Sequence, residues 1–144
     1  MTDPRTAPYA ALLLRLTLAG LFFFHAGVKI FVFTPAGTAQ FFTSIGLPAA
    51  LAYITIVWEV AGALALLLGV WTRFAALAMV PLMIGTIVTV HGANGFMFSN
   101  PNGGWEYPAF WAIALVALAL TGDGALALKP GLPFAKLAPA RSAA

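Results

Sequence analysis

Cysteine is absent from the 144 residues of this chain, and charged residues are few. The lack of cysteine excludes disulfides, iron–sulfur clusters, thiolate metal sites and thiol catalysis, but it leaves the redox compartment undetermined. Charged residues make up 8% of the chain, whereas a soluble domain has about 25%. Hydrophobic residues make up 62%. A soluble protein would have no place for so much apolar surface, so the composition predicts a polytopic membrane protein.

The few charges are mostly positive. Seven Lys and Arg residues stand against four Asp and Glu residues, which gives a net charge of +3. In a soluble chain this balance could indicate nucleic-acid binding. Here the basic residues lie mostly at the ends of apolar runs and in the C-terminal tail. The positive-inside effect explains them better, and we expect no nucleic-acid partner.

Four apolar runs predict four membrane-spanning helices, since about 20 apolar residues cross the hydrocarbon core of a bilayer. The runs cover residues 11–33, 49–70, 74–91 and 106–121. Pro81 predicts a kink inside the third helix. The uninterrupted apolar part of the fourth run, Tyr107 to Thr121, is shorter than the usual minimum. It must include Trp105 and Glu106, run on past Gly122, or cross a thin part of the membrane.

The segment between the first two runs, residues 34–48, is bounded by proline and glycine. We predict one or two turns of interfacial helix there, with Phe41 and Phe42 at the headgroup boundary. A plain loop is the alternative. Residues 129–144 form a Pro/Ala-rich cytoplasmic tail, which leaves residues 1–128 as the transmembrane domain.

The basic residues also predict the orientation, because four spans place both termini on one side of the membrane. That side holds Arg5, Arg15, Arg73, Lys129, Lys136 and Arg141. Only Lys29 falls on the other side, so both termini are expected to be cytoplasmic. We expect Arg15 and Arg73 to snorkel to the cytoplasmic surface as topology anchors. The predicted fold class is all-α, a polytopic membrane protein built as a four-transmembrane-helix antiparallel bundle.

A single carboxylate, Glu59, stands near the middle of the second apolar run. Placing a charge there costs about 2.5–3.5 kcal/mol on insertion scales, so Glu59 needs a partner. His25 and Lys29 lie one turn apart on one side of the first helix, at a similar depth. Two interpretations stay open. The charges form a buried pair that only sets the helix register, or they form a ligand or proton site.

Polar residues of all four predicted helices converge in the outer half of the bundle. They are His25, Lys29, Glu59, His91, Asn94, Glu106 and Tyr107. This convergence predicts a polar site beside an apolar cavity. His91 is equally explained as a helix cap, and Trp105 and Tyr107 as members of an interfacial aromatic belt. The spacing of the two histidines fits no defined metal motif, and no nucleotide fingerprint is present, so we predict neither metal nor nucleotide.

Four local patterns, in this order, resemble the DoxX family of small bacterial four-helix membrane proteins. The first is Phe24-His25-Ala26-Gly27-Val28-Lys29-Ile30, in which Ala26 stands where the family has glycine and Gly27 follows one place later. The others are Trp58–Gly62 with Leu68–Arg73, then Val90–Phe96, then Gly103–Pro108. The resemblance covers roughly Leu12 to Lys129. It implies a location in the bacterial cytoplasmic (inner) membrane.

The resemblance implies quinone-linked redox work, because the family takes its name from a subunit associated with thiosulfate:quinone oxidoreduction. The leading hypothesis is therefore a membrane subunit of a quinone-dependent oxidoreductase, with quinone as cofactor. The expected proton-exchanging, catalytic residues are Glu59, His25 and Glu106. The expected quinone-binding residues are Lys29, His91, Asn94, Trp105 and Tyr107. The expected partners are the lipid bilayer and a soluble or membrane-bound redox protein, and a homo-oligomer stays open.

Two other functions fit the same residues. The chain could be a non-catalytic membrane scaffold that assembles a soluble partner, in which case the buried charges only lock the bundle. It could also be a small-molecule carrier that uses the same cavity for transport. The stretch from Phe96 to Tyr107 is a candidate lid or docking surface under each of these hypotheses.

Overall fold

The structure is a computed structural model that describes residues 3–128. Five α-helices follow one another along the chain: α1 (Ala7–Gly27), α2 (Thr34–Ser44), α3 (Ala49–Leu68), α4 (Thr72–Thr86) and α5 (Glu106–Thr121). A π-helical turn, Val28–Val32, continues α1, and a second, Ile87–His91, continues α4 into the 3₁₀ turn Gly92–Asn94. Within these described residues there is no strand, which confirms the all-helical class.

Three helical segments are long and apolar enough to cross a membrane: Ala7–Val32, Ala49–Leu68 and Thr72–Asn94. Helix α5 is apolar but shorter, with 16 residues. The first helix begins earlier than predicted, at Ala7, because Pro8 occupies a first-turn position that proline favours. The helix predicted between the first two spans is present as α2 and is longer than the predicted one or two turns. Helix α4 continues across Pro81.

The four longer helices pack around an apolar core. Helix α1 contacts α3 and α5, and α4 contacts α3 and α5, so each of the four has two neighbours among the others. Phe22, Leu66, Met79 and Leu115 are fully buried in this core. A Cβ added at Gly62 would overlap the Met79 sulfur. Helices α3 and α4 therefore approach each other closely at this glycine.

Arg15 is buried in the core at the end of the molecule where α3 ends and α4 begins. Its side chain is 1% exposed. The guanidinium donates hydrogen bonds to the carbonyl oxygens of Leu66 (3.2 Å), Leu67 (3.4 Å) and Ala125 (3.0 Å). The prediction that Arg15 snorkels to the surface is therefore wrong. The last carbonyls of α3 have no partner within the helix, and they accept the guanidinium N–H groups instead.

The chain after α5 folds back against this same end. The Ala125 amide donates to the carbonyl of Pro8 (2.9 Å), and the Leu128 amide donates to the carbonyl of Leu68 (3.0 Å). An Asp123 carboxylate oxygen accepts from the amide of Thr72 (3.2 Å) at the start of α4. Residues 122–128 thus join the starts and ends of three helices. The predicted tail, residues 129–144, lies outside the described part of the chain.

Candidate functional site

A cavity of about 700 Å³ opens between α2, α3, α4 and the π-helical turn that follows α1. Most of its wall is apolar, including Phe41, Leu51, Ile54 and Trp58. The ionisable groups on this wall are His25, Lys29 and Glu59. We call it the ion-pair cavity. It combines a large apolar volume with a small set of polar groups, which is the usual composition of a small-molecule site.

Lys29 and Glu59 form an ion pair in the wall of the ion-pair cavity. The Lys29 Nζ atom donates to both carboxylate oxygens of Glu59, at 2.8 Å and 2.9 Å. The side chains are 19% and 5% exposed, respectively. The predicted need of Glu59 for a partner is confirmed, and that partner is Lys29. An ammonium group has three N–H donors, so one donor of Lys29 remains for another acceptor.

The π-helical turn Val28–Val32 positions Lys29. Single π-helical turns occur often at functional sites, because the wider turn re-aims the side chains that it carries. The Thr38 hydroxyl of α2 lies within hydrogen-bond distance of two carbonyl oxygens, those of Lys29 (3.2 Å) and Thr34 (2.9 Å), and its O–H is the donor. This contact fixes α2 against the turn. Thr34, at the corner between them, has φ +63°, which is strained for a β-branched residue.

His25 lies one turn before Lys29 and also lines the ion-pair cavity. Its ring packs edge-on against Trp111, with ring centroids 5.2 Å apart, and against Phe24 at 5.8 Å. Aromatic packing on two sides restricts how the imidazole can turn. Within residues 3–128, neither of its ring nitrogens has a hydrogen-bond partner, so both remain for a group inside the cavity.

The other predicted site residues lie in a different place, the loop from Gly95 to Trp105 and the residues beside it. We call this loop the aromatic loop. His91 Nδ1 is 2.9 Å from the carbonyl oxygen of Gly103. Asn94 Nδ2 donates to the same carbonyl at 2.9 Å and to that of Val90 at 3.1 Å. These side chains hold the loop, and neither lines the ion-pair cavity.

Glu106, Trp105 and Tyr107 also belong to this second group. A Glu106 carboxylate oxygen accepts the amide N–H of Phe98 at 2.6 Å. The Trp105 ring packs against Phe96 (centroids 4.8 Å apart), and the Tyr107 ring packs against Phe98 (5.9 Å). The structure therefore brings His25, Lys29 and Glu59 together, and it gathers the remaining predicted residues around the loop.

Helix α2 supplies a wall of the cavity, and sequence reasoning gave it no part in the site. Thr38 and Phe41 lie three residues apart on one face of α2, and both line the cavity. The second π-helical turn, Ile87–His91, contributes Thr89 and Val90. The spacing on α2 was a usable signal. The π-helical turns gave no signal in the sequence, because a shift in backbone hydrogen bonding does not alter the hydrophobic pattern.

Comparison with known proteins identifies one matching family and one similar protein. The DoxX family model matches residues 10–92 of this chain, a range that contains every residue lining the ion-pair cavity. A protein of Bacillus subtilis (strain 168) named "Putative oxidoreductase CatD" is 37% identical over 119 residues. That alignment covers 83% of this chain and 84% of the relative. No solved structure matches the chain.

Proposed function

The chain belongs to the DoxX family of membrane proteins, and from this premise we propose that it is the membrane subunit of a quinone-linked oxidoreductase. The relative from Bacillus subtilis bears the name of an oxidoreductase. The observation that carries the proposal is the Lys29–Glu59 ion pair, which lies in the wall of a large apolar cavity. A pair that served packing alone would be expected inside a closed helix interface.

The residues of the ion-pair cavity fit a quinone by their chemistry. A quinone carries a flat ring with carbonyl acceptors and an apolar tail, so it needs hydrogen-bond donors beside an apolar volume. The free N–H of Lys29 and the ring of His25 are such donors. Phe41 of α2 and Leu51 and Trp58 of α3 provide apolar wall. We propose that Lys29 and His25 orient the ring.

A bound quinone supplies an acceptor for two electrons and two protons. Glu59 and His25 are the residues that exchange protons beside it in this proposal, and both lie on the cavity wall. Lys29 keeps the Glu59 carboxylate in one place through its two hydrogen bonds. The electrons come from a redox partner or from a small reductant, so a partner surface forms part of the proposal.

We also propose the topology in which this site works. Three segments of spanning length, together with α5, cross a bacterial inner membrane four times. Both termini then lie on its cytoplasmic side. Reaction of single cysteines with a membrane-impermeant reagent in intact cells tests this. Cysteine at Arg5 would be protected, and cysteine at Ser44, an exposed position at the end of α2, would be labelled. The reverse result would overturn the orientation.

Ligand binding is the direct test of the proposed site. The purified full chain in detergent is titrated with a quinone analogue, and binding is followed by tryptophan fluorescence and by thermal shift. Trp58 lines the cavity, so its emission is expected to respond. Glu59→Gln is expected to weaken binding at least tenfold. Glu106→Gln makes the same chemical change outside the cavity, and it should leave binding unchanged.

A scaffold function is the second candidate, because the ion pair also ties the turn after α1 to the middle of α3. The double variant Lys29→Met/Glu59→Leu separates the two functions. Replacing a buried pair by apolar residues of similar volume often preserves stability, so this variant should fold without its polar groups. If it folds and binds the analogue as the wild type does, the pair is only structural and the quinone site is wrong. A carrier would instead accumulate its ligand in proteoliposomes without redox change.

A further inference from the structure

The aromatic loop presents large apolar side chains that remain more than half exposed in the described part of the chain. Phe96, Met97 and Phe98 are 54%, 58% and 62% exposed. They stand in consecutive positions on a loop, where solvent-exposed residues are usually polar. Exposed apolar patches of this kind mark contact with a protein or a membrane.

Helix α5 supplies a reason to choose the membrane. Its 16 residues span about 24 Å, whereas the hydrocarbon core is about 30 Å thick. Phe110, Ile113 and Leu120 are its most exposed large side chains, and all are apolar. The Tyr107 ring joins this exposed side to Phe98 of the loop, with centroids 5.9 Å apart. The apolar surface of α5 therefore continues onto the loop, beyond the point where the helix begins.

The backbone of the aromatic loop is suited to an apolar environment, because many of its polar groups bond within the loop. The amide N–H groups of Asn100, Gly103, Gly104, Trp105 and Glu106 each donate to a loop carbonyl at 2.8–3.1 Å. The Phe98 amide donates to Glu106, and Pro101 has no N–H. Irregular backbone enters a membrane only where its polar groups are satisfied.

The polar side chains around the loop serve the same end. Asn100 Nδ2 donates to the carbonyl of Asn94 at 2.8 Å, and Asn94 bonds in turn to the carbonyls of Asn102 and Gly103. This compact arrangement requires glycine at position 104, because an added Cβ on Gly104 would overlap the carbonyl oxygens of Met97, Phe96 and Gly95. The side-chain amides of Asn94 and Asn100 thus bond within the loop, while Phe96, Met97 and Phe98 are exposed.

We propose that the aromatic loop inserts into the lipid bilayer, at the boundary between headgroups and acyl chains in the leaflet where α5 begins. There it supplies the thickness that α5 lacks. The apolar side chains of Phe96, Met97 and Phe98 contact lipid, and the internal hydrogen bonds replace part of the water that the backbone leaves, while the headgroup region hydrates the rest. The loop and α5 together complete the crossing.

The absence of native cysteine makes the test direct. A single cysteine replaces Met97 in the full chain, a nitroxide is attached, and the protein is reconstituted in phosphatidylcholine vesicles. Spin relaxation by oxygen, which concentrates in lipid, is compared with relaxation by a water-soluble nickel chelate. Ile113→Cys, on the exposed side of α5, is the lipid reference, and Arg5→Cys, in the polar N-terminal arm, is the aqueous reference.

The nitroxide at position 97 is expected to show an oxygen-to-nickel accessibility ratio several-fold above that of Arg5→Cys and below that of Ile113→Cys. A ratio equal to the aqueous reference would overturn the proposal. Low accessibility to both reagents would also overturn it, because a protein partner or a second copy would then cover the loop. Phe96→Cys repeats the measurement one position away, so a single poorly folded variant does not decide the outcome.

Discussion

Helix α1 and its π-helical extension carry one arginine, Arg15, and one lysine, Lys29, and the protein uses the two in opposite ways. Arg15 is buried and bonds to carbonyl oxygens of the backbone. Lys29 bonds to a carboxylate, and the pair borders a cavity. Arg15 offers a rigid fork of donors, which suits several fixed carbonyls at once. Lys29 is a compact charge with a spare donor. The comparison separates a cation that completes the fold from one that remains available to a ligand.

The largest effect is expected at Arg15. The variant Arg15→Met removes the guanidinium donor from the carbonyls of Leu67 and Ala125 and one of two donors from that of Leu66, which also accepts the Gly69 amide. It should destabilise the protein by about 3–5 kcal/mol. Unfolding in a denaturing detergent, followed by circular dichroism, measures the change. Arg73→Met is the matched control. Arg73 is exposed and donates one hydrogen bond, to Ala119, so a loss of about 1 kcal/mol is expected. Equal losses of stability in both variants would show that the buried arginine contributes no more to the fold than the exposed one.

Lys29→Met is the next largest change, because it leaves the Glu59 carboxylate buried without its partner. A loss of about 2–4 kcal/mol is expected. The double variant Lys29→Met/Glu59→Leu should recover most of this loss. The double-mutant cycle, completed with Glu59→Leu, gives the coupling between the two residues directly. A double variant less stable than Lys29→Met alone would show that apolar side chains cannot fill this part of the cavity wall.

Gly62 lies on α3 between the levels of the two cations, and its effect should be intermediate. An added Cβ overlaps the Met79 side chain, and overpacking of this kind costs about 1–3 kcal/mol. The flexibility of methionine places Gly62→Ala at the lower end of that range. Gly20→Ala is the control on α1, because no atom lies within 4 Å of its added Cβ. It should be neutral or slightly stabilising, and thermal unfolding of both variants checks the difference.

The smallest effect concerns Thr38, which holds the turn that carries Lys29. Thr38→Val removes the hydroxyl that bonds to the Lys29 and Thr34 carbonyls and should cost about 1 kcal/mol. It should also weaken analogue binding a few-fold, because Lys29 is then held less firmly. Thr43→Val is the control, since it removes a hydroxyl of the same helix that bonds to the carbonyl of Ala39. A loss of binding in both variants would indicate a general effect on α2 and none specific to the turn.

Sequence patterns predicted that Glu59 needs a partner and left His25 and Lys29 as candidates, of which Lys29 is the one that bonds to it. The physical reason for the prediction is simple. A charge in the middle of an apolar run must find an opposite charge, and helical spacing restricts where that charge can stand. The same logic failed for Arg15. The rule that basic residues near helix ends reach water assumes that nothing covers them. Residues 122–128 fold over the end of the bundle that contains Arg15, and no periodic pattern in the sequence predicts that contact.

Depth in the membrane was also an incomplete guide. His91 and Glu106 were grouped with Glu59 because the predicted topology gives them a similar depth. Depth fixes one coordinate and leaves the position around the bundle undetermined. In the structure these residues organise the aromatic loop, while α2 occupies the wall of the ion-pair cavity that they were expected to share.

The bond between Arg15 and Ala125 joins residues that are 110 positions apart, which has a consequence for biosynthesis. A ribosome delivers the first helix long before the segment that completes the coordination of its buried cation. Until that segment emerges, Arg15 must bond to water, to lipid or to the α3 carbonyls alone. The hydrogen bond from Arg15 to Ala125 can therefore form only after the chain up to Ala125 has been synthesised and its helices have packed.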